Sequence, residues 1–312
     1  MSTENSKTPF IIAHEFFDAL PIHAFQSVSV PAPQRPGMSS AGQPSAGIIT
    51  STATPAAAAS QPKRNEWREL LVSPTAPPSV LNPPKTPGPD FELTMSKLPT
   101  HHSRLLPALS PRYTALLPQT NSTIEISPES QTTVTYLTEL ISGEAIKAAP
   151  PLTASAQRTT RPAQVQAPAS KPRPSGAALI IDYGPASTIP ISTLRGIREH
   201  KRASPFSNAG LVDLSADVDF GALVETALNA SELVEVHGPA NQADWLEALG
   251  GRERCDVLVK KAGEKETADR IKTGWERLVG RGPDGMGKLY KVMAIVPERG
   301  GQRPVGFGGD VQ

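Results

Sequence analysis

Cysteine is nearly missing from this sequence: Cys255 stands alone. One thiol excludes an internal disulfide framework and any zinc cluster built on cysteines, and it fits a reducing compartment. Long apolar runs are missing too. No stretch of about 18 apolar residues occurs, so no membrane-spanning helix is expected. Net charge is also close to absent. Lys and Arg number 31 against 30 Asp and Glu, which leaves +1 and points to neither nucleic acid nor a membrane surface. Apolar residues are scarce, at 38% of the chain, while 33 prolines are many. That balance predicts folded core interrupted by disordered insert. The opening M-S-T-E-N-S-K-T-P lacks arginine and carries Glu4, unlike a mitochondrial presequence.

Acids are missing from two long segments. Ser29 to Pro62 is Ala, Pro, Ser and Thr with no carboxylate, and Ala148 to Ser175 holds Arg158, Arg161, Lys171 and Arg173 with none. Pro74 to Pro89 is again proline-rich. Such composition buries too little apolar surface to offset the entropy of ordering, so all three are expected to be disordered. They are read as tolerated surface insertions, with a basic docking tail as the alternative.

The structured pieces carry clearer signals. Phe10–Ala13, Ile22–Val28, Glu66–Val72, Phe91–Lys97 and Thr123–Ile126 read as strands. Ser127-Pro128-Glu129 opens a helix with an N-cap serine, a proline at its first position and an acid in the first turn. Its apolar face is Val134, Leu137, Leu140 and Ile141, and Gly143 ends it. A-A-L-I-I-D-Y, Ala177 to Tyr183, is a continuous apolar strand of the kind covered on both faces of a parallel sheet. Asp219 can cap a helix bearing Phe220, Leu223, Val224, Ala227 and Leu228. Leu233–His237 reads as a strand, Asn241 as the cap of a short helix stopped by Gly250, and Ala268 to Val279 as a longer helix. Lys288–Val296 is a last apolar strand. Strands alternating with helices predict an α/β sheet.

Motif tests mostly fail. Gly280 to Gly285 matches G-x-G-x-x-G, but a helix precedes it and a strand follows, the reverse of a dinucleotide site, so a helix-to-strand turn is the better account. Gly306 to Gly309 lies in a terminal tail. None of the six histidines pairs with another at metal-ligand spacing beside a carboxylate on a helix, so no metal is expected, and His101-His102 reads as a solvated pair. There is no G-x-S-x-G elbow. What remains is the placement of acids. Ligands of open α/β sheets bind beyond the carboxyl ends of the strands. His14, Glu15 and Asp18 follow one strand, and Asp182, Tyr183 and Gly184 close another. These residues leave two readings open: a functional pair of carboxylates, or Glu15 capping a turn with Asp182 paired to an arginine such as Arg195.

Several blocks then occur in a recognisable order: H-E-F-F-D-A-L-P, A-L-I-I-D-Y-G, T-L-R-G-I-R-E-H-K, D-L-S-A-D-V-D-F and M-G-K-L-Y-K-V-M-A-I. They resemble the mitochondrial protein arginine methyltransferase family that assists assembly of respiratory complex I. The resemblance covers Pro9 to Gln26 and roughly Gly176 to Val296. It implies a class I methyltransferase fold with a doubly wound sheet, S-adenosylmethionine as methyl donor, and transfer to an arginine of a complex I core subunit in the mitochondrial matrix. The family's glycine-rich donor loop, similar to E-L-G-P-G-R-G, precedes the H-E-F-F-D block, and no such loop stands in this sequence. The chain is therefore expected to hold the later half of the sheet.

On that basis the chain divides into 1–28, a disordered insert 29–64, an inserted subregion 65–147, a disordered basic insert 148–175, the C-terminal part of the methyltransferase domain 176–297, and a tail 298–312. A guanidinium arrives charged and must be oriented and relieved of a proton, work that carboxylates can do. The expected catalytic residues are Glu15, Asp18 and Asp182, with Tyr183, Arg195 and His200 at the substrate. Tyr183 and the Pro21 turn would shape the pocket. The alternative functions are a non-catalytic assembly module, or a fragment without activity whose unpaired strand edges prevent it from folding alone.

Overall fold

The computed structural model describes residues 8–32, 63–75, 88–144, 171, 173–188, 190–283 and 285–309. In chain order the strands and helices are β1 (Phe10–His14), β2 (His23–Pro31), β3 (Lys63–Pro74), β4 (Phe91–Met95), α1 (His101–Leu105), α2 (Pro111–Thr114), β5 (Thr123–Ile126), α3 (Pro128–Ser142), β6 (Ala177–Tyr183), β7 (Arg195–Arg198), β8 (Lys201–Ala203), β9 (Asp213–Ser215), α4 (Phe220–Ala230), β10 (Val234–Asn241), α5 (Gln242–Ala248), α6 (Gly251–Lys261), α7 (Lys265–Val279), α8 (Met286–Leu289) and β11 (Tyr290–Pro297). A 3₁₀ turn, Leu106–Leu109, joins α1 to α2.

These elements make three sheets. The central one has the order β1-β6-β11-β10, with β1 parallel to β6 and β11 antiparallel to both its neighbours. The register sets Ile11 beside Ala178 and Ala13 beside Ile180, and it sets Met293 beside Ile180. Side chains alternate across a strand, so these residues share one face. Helices α3 and α4 cover it: Val134, Leu137, Ile141, Phe220, Leu223 and Ala227 pack against Ile180, Met293 and Ile295 in one buried cluster that also takes Phe17. The second sheet, β4-β3-β2-β5, is antiparallel throughout and stands over Phe25, Trp67, Leu106, Tyr113, Ile124 and Ile126. The third, β8-β7-β9, is a small sheet inserted between β6 and α4.

Local chemistry explains the clearest boundaries. Ser127 accepts from the Ser130 N–H, Pro128 fills the first helical position, and Gly143 ends α3 in the left-handed region at φ 75°. Asp219 caps α4 by accepting from the Ala222 N–H. Asn241 does precede α5, but its side chain donates to Asp244 at 2.8 Å and caps no helix N–H.

Several expectations change. Ser29–Pro31, expected to be disordered, extends β2 and pairs with Lys63–Asn65. Lys171 and Ser175 are also ordered: the Lys171 ammonium and the Ser175 N–H donate to the Leu140 and Ile141 carbonyls left open at the end of α3. Pro74, expected to open a disordered segment, ends β3 opposite Phe91, and the Thr75 hydroxyl donates to the Pro89 carbonyl at 2.7 Å. Ala32, Gly88, Arg173 and Pro174 are also described, and the remainder of the three segments lies outside the described residues. The Gly280–Gly285 turn leads into the single turn of α8 before β11. His101 and His102 lie on α1, where a solvated loop was expected.

Strand β6 is not covered equally on both faces. Ala178, Ile180 and Asp182 are buried, whereas Ala177, Leu179, Ile181 and Tyr183 alternate with them as half-buried positions. The same outer face on β1 leaves Phe10 80% and Ile12 73% exposed. Ile12→Ser is therefore expected to change stability by less than about 0.5 kcal/mol, as surface substitutions do; urea midpoints of the two proteins check it.

Candidate active site

The crevice lies where β1 and β6 end. Glu15 continues the β1 ladder by donating its N–H to the Ile181 carbonyl at 3.0 Å, yet it takes φ 47°, a left-handed backbone uncommon outside glycine. Such backbone persists only where its surroundings hold it. The hold comes from the next residues. Asp182 Oδ2 accepts from the Phe16, Phe17 and Asp18 N–H groups at 3.1, 2.9 and 3.4 Å, and Oδ1 accepts from its neighbour Tyr183 N–H at 2.9 Å. Asp182 is wholly buried, and burial together with the nearby Asp18 charge pushes its carboxyl up to about 6 against the pull of those N–H groups. It does not pair with Arg195, and none of it faces the opening. Its observed work is to fold the loop that presents Glu15.

The Glu15 carboxylate is half-exposed and accepts from the Tyr290 hydroxyl at 2.6 Å. It caps no turn. Burial and this acceptor push the Tyr290 phenol above its ordinary value, so Tyr290 stays a donor. Tyr183 stacks edge-on against Tyr290, with ring centroids 5.5 Å apart. The Tyr183 hydroxyl meets Asp18 Oδ2 and Ser215 Oγ. Asp18 thus sits behind Tyr183, and its Oδ1 is buried without a hydrogen bond among the described residues.

Arg195 lies 4.5 Å over the Tyr183 ring and donates to Asp217 at 2.6 Å and to the Thr193 carbonyl at 3.1 Å. Burial opposes its charge, and Asp217 outweighs burial, so the guanidinium is held above its ordinary value. His200 occupies the tip of the β7–β8 hairpin, where Glu199 and His200 take φ 51° and 60° as the two-residue turn between Arg198 and Lys201 requires. Gly184, the residue after β6, has φ 155° and lies so close to Val218 that a Cβ would fall 2.1 Å from its carbonyl oxygen. Glycine is thus required where the strand leaves the sheet.

An open cavity of about 1100 Å³ gathers Glu15, Tyr183, Arg195, His200 and Tyr290. Of the six expected residues, four line it; Asp18 and Asp182 stand behind the wall as supports. Arg202, Arg277, Arg281, Lys288 and Lys291 rim the same space, against Asp217 and Glu15 as its acids. Tyr290 was missed by sequence reasoning. It sits in the M-G-K-L-Y-K block, and only the antiparallel register Tyr290 to Tyr183 brings it to the crevice. Among the central strands, β11 is the one followed by paired glycines, Gly300 and Gly301, and that turn is taken up by Glu235, whose Oε1 accepts from the Arg299 and Gly301 N–H groups at 2.8 and 2.9 Å. β1 continues into Glu15 and β6 into Gly184-Pro185. A donor cradle of the E-L-G-P-G-R-G type is not built by the described residues.

Residues 1–240 match the family described as "Putative S-adenosyl-L-methionine-dependent methyltransferase". The chain belongs to this family. Among curated members, it is 26% identical to a Drosophila melanogaster protein arginine methyltransferase NDUFAF7 homolog, named mitochondrial, over 92% of this chain and 47% of the relative. The human counterpart is 33% identical over 40% of this chain and 27% of its own length. The chain thus spans about half the length of the Drosophila methyltransferase or less of the others. A Burkholderia thailandensis protein solved with S-adenosyl-homocysteine bound superposes with a TM-score of 0.55 at 16% identity, over 97% of this chain and 56% of that one. The shared fold is α/β, with the central sheet β1-β6-β11-β10 in this chain. No helix among the described residues is long and apolar enough to cross a membrane.

Proposed function

We propose that this chain carries the substrate side of an S-adenosylmethionine-dependent protein arginine methyltransferase, acting on a complex I core subunit in the mitochondrial matrix. The observation that carries the reading is Glu15: an exposed carboxylate on a constrained backbone at a strand's carboxyl end, set beside Tyr290 in an open crevice. A carboxylate so placed can hold one edge of a guanidinium and accept the proton lost on methylation. Asp182 and Asp18 position it, the first through the 16–18 N–H groups and the second through Tyr183. The basic rim supports a target arginine flanked by acidic residues. The methyl group comes from S-adenosylmethionine, the donor of the family.

The test uses a chimera that joins this chain to the donor-binding half of the Drosophila relative. With tritiated S-adenosylmethionine and the complex I core subunit, Glu15→Gln should lower kcat about 100-fold, the usual worth of a general base, while leaving the KM for the donor unchanged. Undiminished methylation by a folded Glu15→Gln protein would sink the assignment.

A further inference from the structure

A second cluster lies away from the crevice, on the sheet β4-β3-β2-β5. Glu69 of β3, His23 of β2 and His102 of α1 turn their donor atoms toward one point, all within 4.8 Å of one another. His23 Nδ1 is 2.9 Å and His102 Nδ1 3.5 Å from the same oxygen, Glu69 Oε1. Ligands bound to a tetrahedral metal at about 2.0–2.2 Å stand roughly 3.3 Å apart, so these separations bracket what a metal requires.

The surroundings preset that geometry. The other carboxylate oxygen, Oε2, accepts from the Thr100 hydroxyl at 2.5 Å, which leaves Oε1 toward the two imidazoles. Thr100 also caps α1 by accepting from the Ser103 N–H at 3.0 Å, so one hydroxyl fixes both the carboxylate and the helix that bears His102. His23 stacks on Phe25 at 6.2 Å with the rings nearly parallel. Orientation of a ligand by a neighbour that is not itself a ligand is the usual support of a metal site.

A hydrogen-bonded trio explains less. One imidazole suffices to satisfy the buried carboxylate. The His23 and His102 rings lie 4.4 Å apart, and both turn a ring nitrogen to the same carboxylate oxygen. Two imidazoles and one carboxylate gathered in this way are a donor set for a divalent transition metal. The carboxylate is buried, while both imidazoles keep about a quarter of their surface exposed, so solvent reaches an open coordination position.

We propose that His23, Glu69 and His102 bind one divalent transition-metal ion, zinc first, that clasps α1 onto the sheet β4-β3-β2-β5. Sequence spacing could not show this, because the three residues come from three separate elements.

The test titrates the full chain, first stripped with a chelator, with Zn²⁺ by calorimetry, and with Co²⁺ by visible absorption. The expected result is one saturable equivalent. A Co²⁺ spectrum of nitrogen and oxygen ligation without a thiolate band should accompany it, because Cys255 is not a ligand. His102→Ala and His23→Ala should each weaken binding about 100-fold. His101→Ala, on the same helix but outside the cluster, and Cys255→Ser should bind as the parent does. Circular dichroism of His102→Ala confirms that the fold is kept. No saturable binding, or binding that survives His102→Ala unchanged, overturns the proposal.

Discussion

The unfolding free energy of this chain should fall as pH rises from about 4 to about 6, by up to about 3 kcal/mol at full ionisation of Asp182. The sign follows from the carboxyl. Asp182 is pushed up to about 6 in the folded protein, from an ordinary value near 3.8, because it is buried and faces the Asp18 charge. Between those values the folded state holds the proton and the unfolded state has released it. The folded state then binds more protons, so stability declines with rising pH. Other carboxylates act elsewhere. Glu69, Glu235 and Asp244 are held below their ordinary values, so they add stability above about 4.5 that is lost only on further acidification. Lys171 and Lys291 are both lowered by burial. Urea unfolding at pH 4.5, 5.5, 6.5 and 7.5 measures the slope, and Asp182→Asn separates its source. The amide keeps one oxygen for the Phe16–Asp18 N–H groups but turns an NH₂ toward the Tyr183 N–H, so it should be destabilising at every pH. It cannot ionise, so its deficit against the parent should shrink as pH rises. A parent whose stability is flat from pH 4.5 to 7.5 would show that Asp182 ionises normally.

Asp182 also shows where sequence reasoning stops. Strand β6 was legible because apolar runs of that length are strands, and α3 because serine, proline and glycine mark its ends within a few residues of one another. These are local signals. The position of Glu15 at the crevice was legible for a related reason: the end of a strand is readable, and clefts of α/β sheets open there. The roles within the acid group were not legible. Asp182 and Glu15 look alike in sequence, and what separates them is three backbone N–H groups more than 160 residues away in the chain. Tyr290 and Glu15 are 275 residues apart. Helix α6 was overlooked because its surface is mostly polar; Cys255 is its one buried side chain among the described residues. The juxtaposition of His23, Glu69 and His102 was not legible for the same reason, since His23 and Glu69 are brought together only by pairing of β2 with β3.

Arg112→Ala should cost about 3 kcal/mol, in the range for breaking a largely buried ion-pair network. Arg112 stands on α2, in the subregion between β4 and β5, and its guanidinium reaches the helix of the central sheet. It donates to Asp219 at 3.0 and 3.1 Å and to Glu225 at 2.7 Å, and it also meets the Thr188 hydroxyl. Its side chain is 24% and that of Asp219 14% exposed, so solvent screens that contact little, whereas Glu225 is 39% exposed and its contact is screened more. Burial works against the charge, and Glu225 and Asp219 more than offset it, holding the guanidinium above its ordinary value. The loss is larger than one contact because Asp219 caps α4 and accepts from the Tyr113 hydroxyl at 3.1 Å. Without Arg112 that carboxylate is left part-buried with neutral partners only. Arg112→Lys tests the geometry: an ammonium keeps the charge but cannot donate from Nε to Glu225 and from Nη1 to Asp219 together, so it should recover less than half of the loss. Matched urea midpoints for Arg112→Lys and the parent would reduce the network to simple charge. The consequence extends to the crevice. Asp219 follows Val218, whose N–H is held by the Tyr183 carbonyl at 3.0 Å, and Tyr183 carries the Asp18 support of the Glu15 loop. The subregion and the strand ends therefore share one set of restraints, and loosening Arg112 should weaken the crevice without touching a residue that lines it.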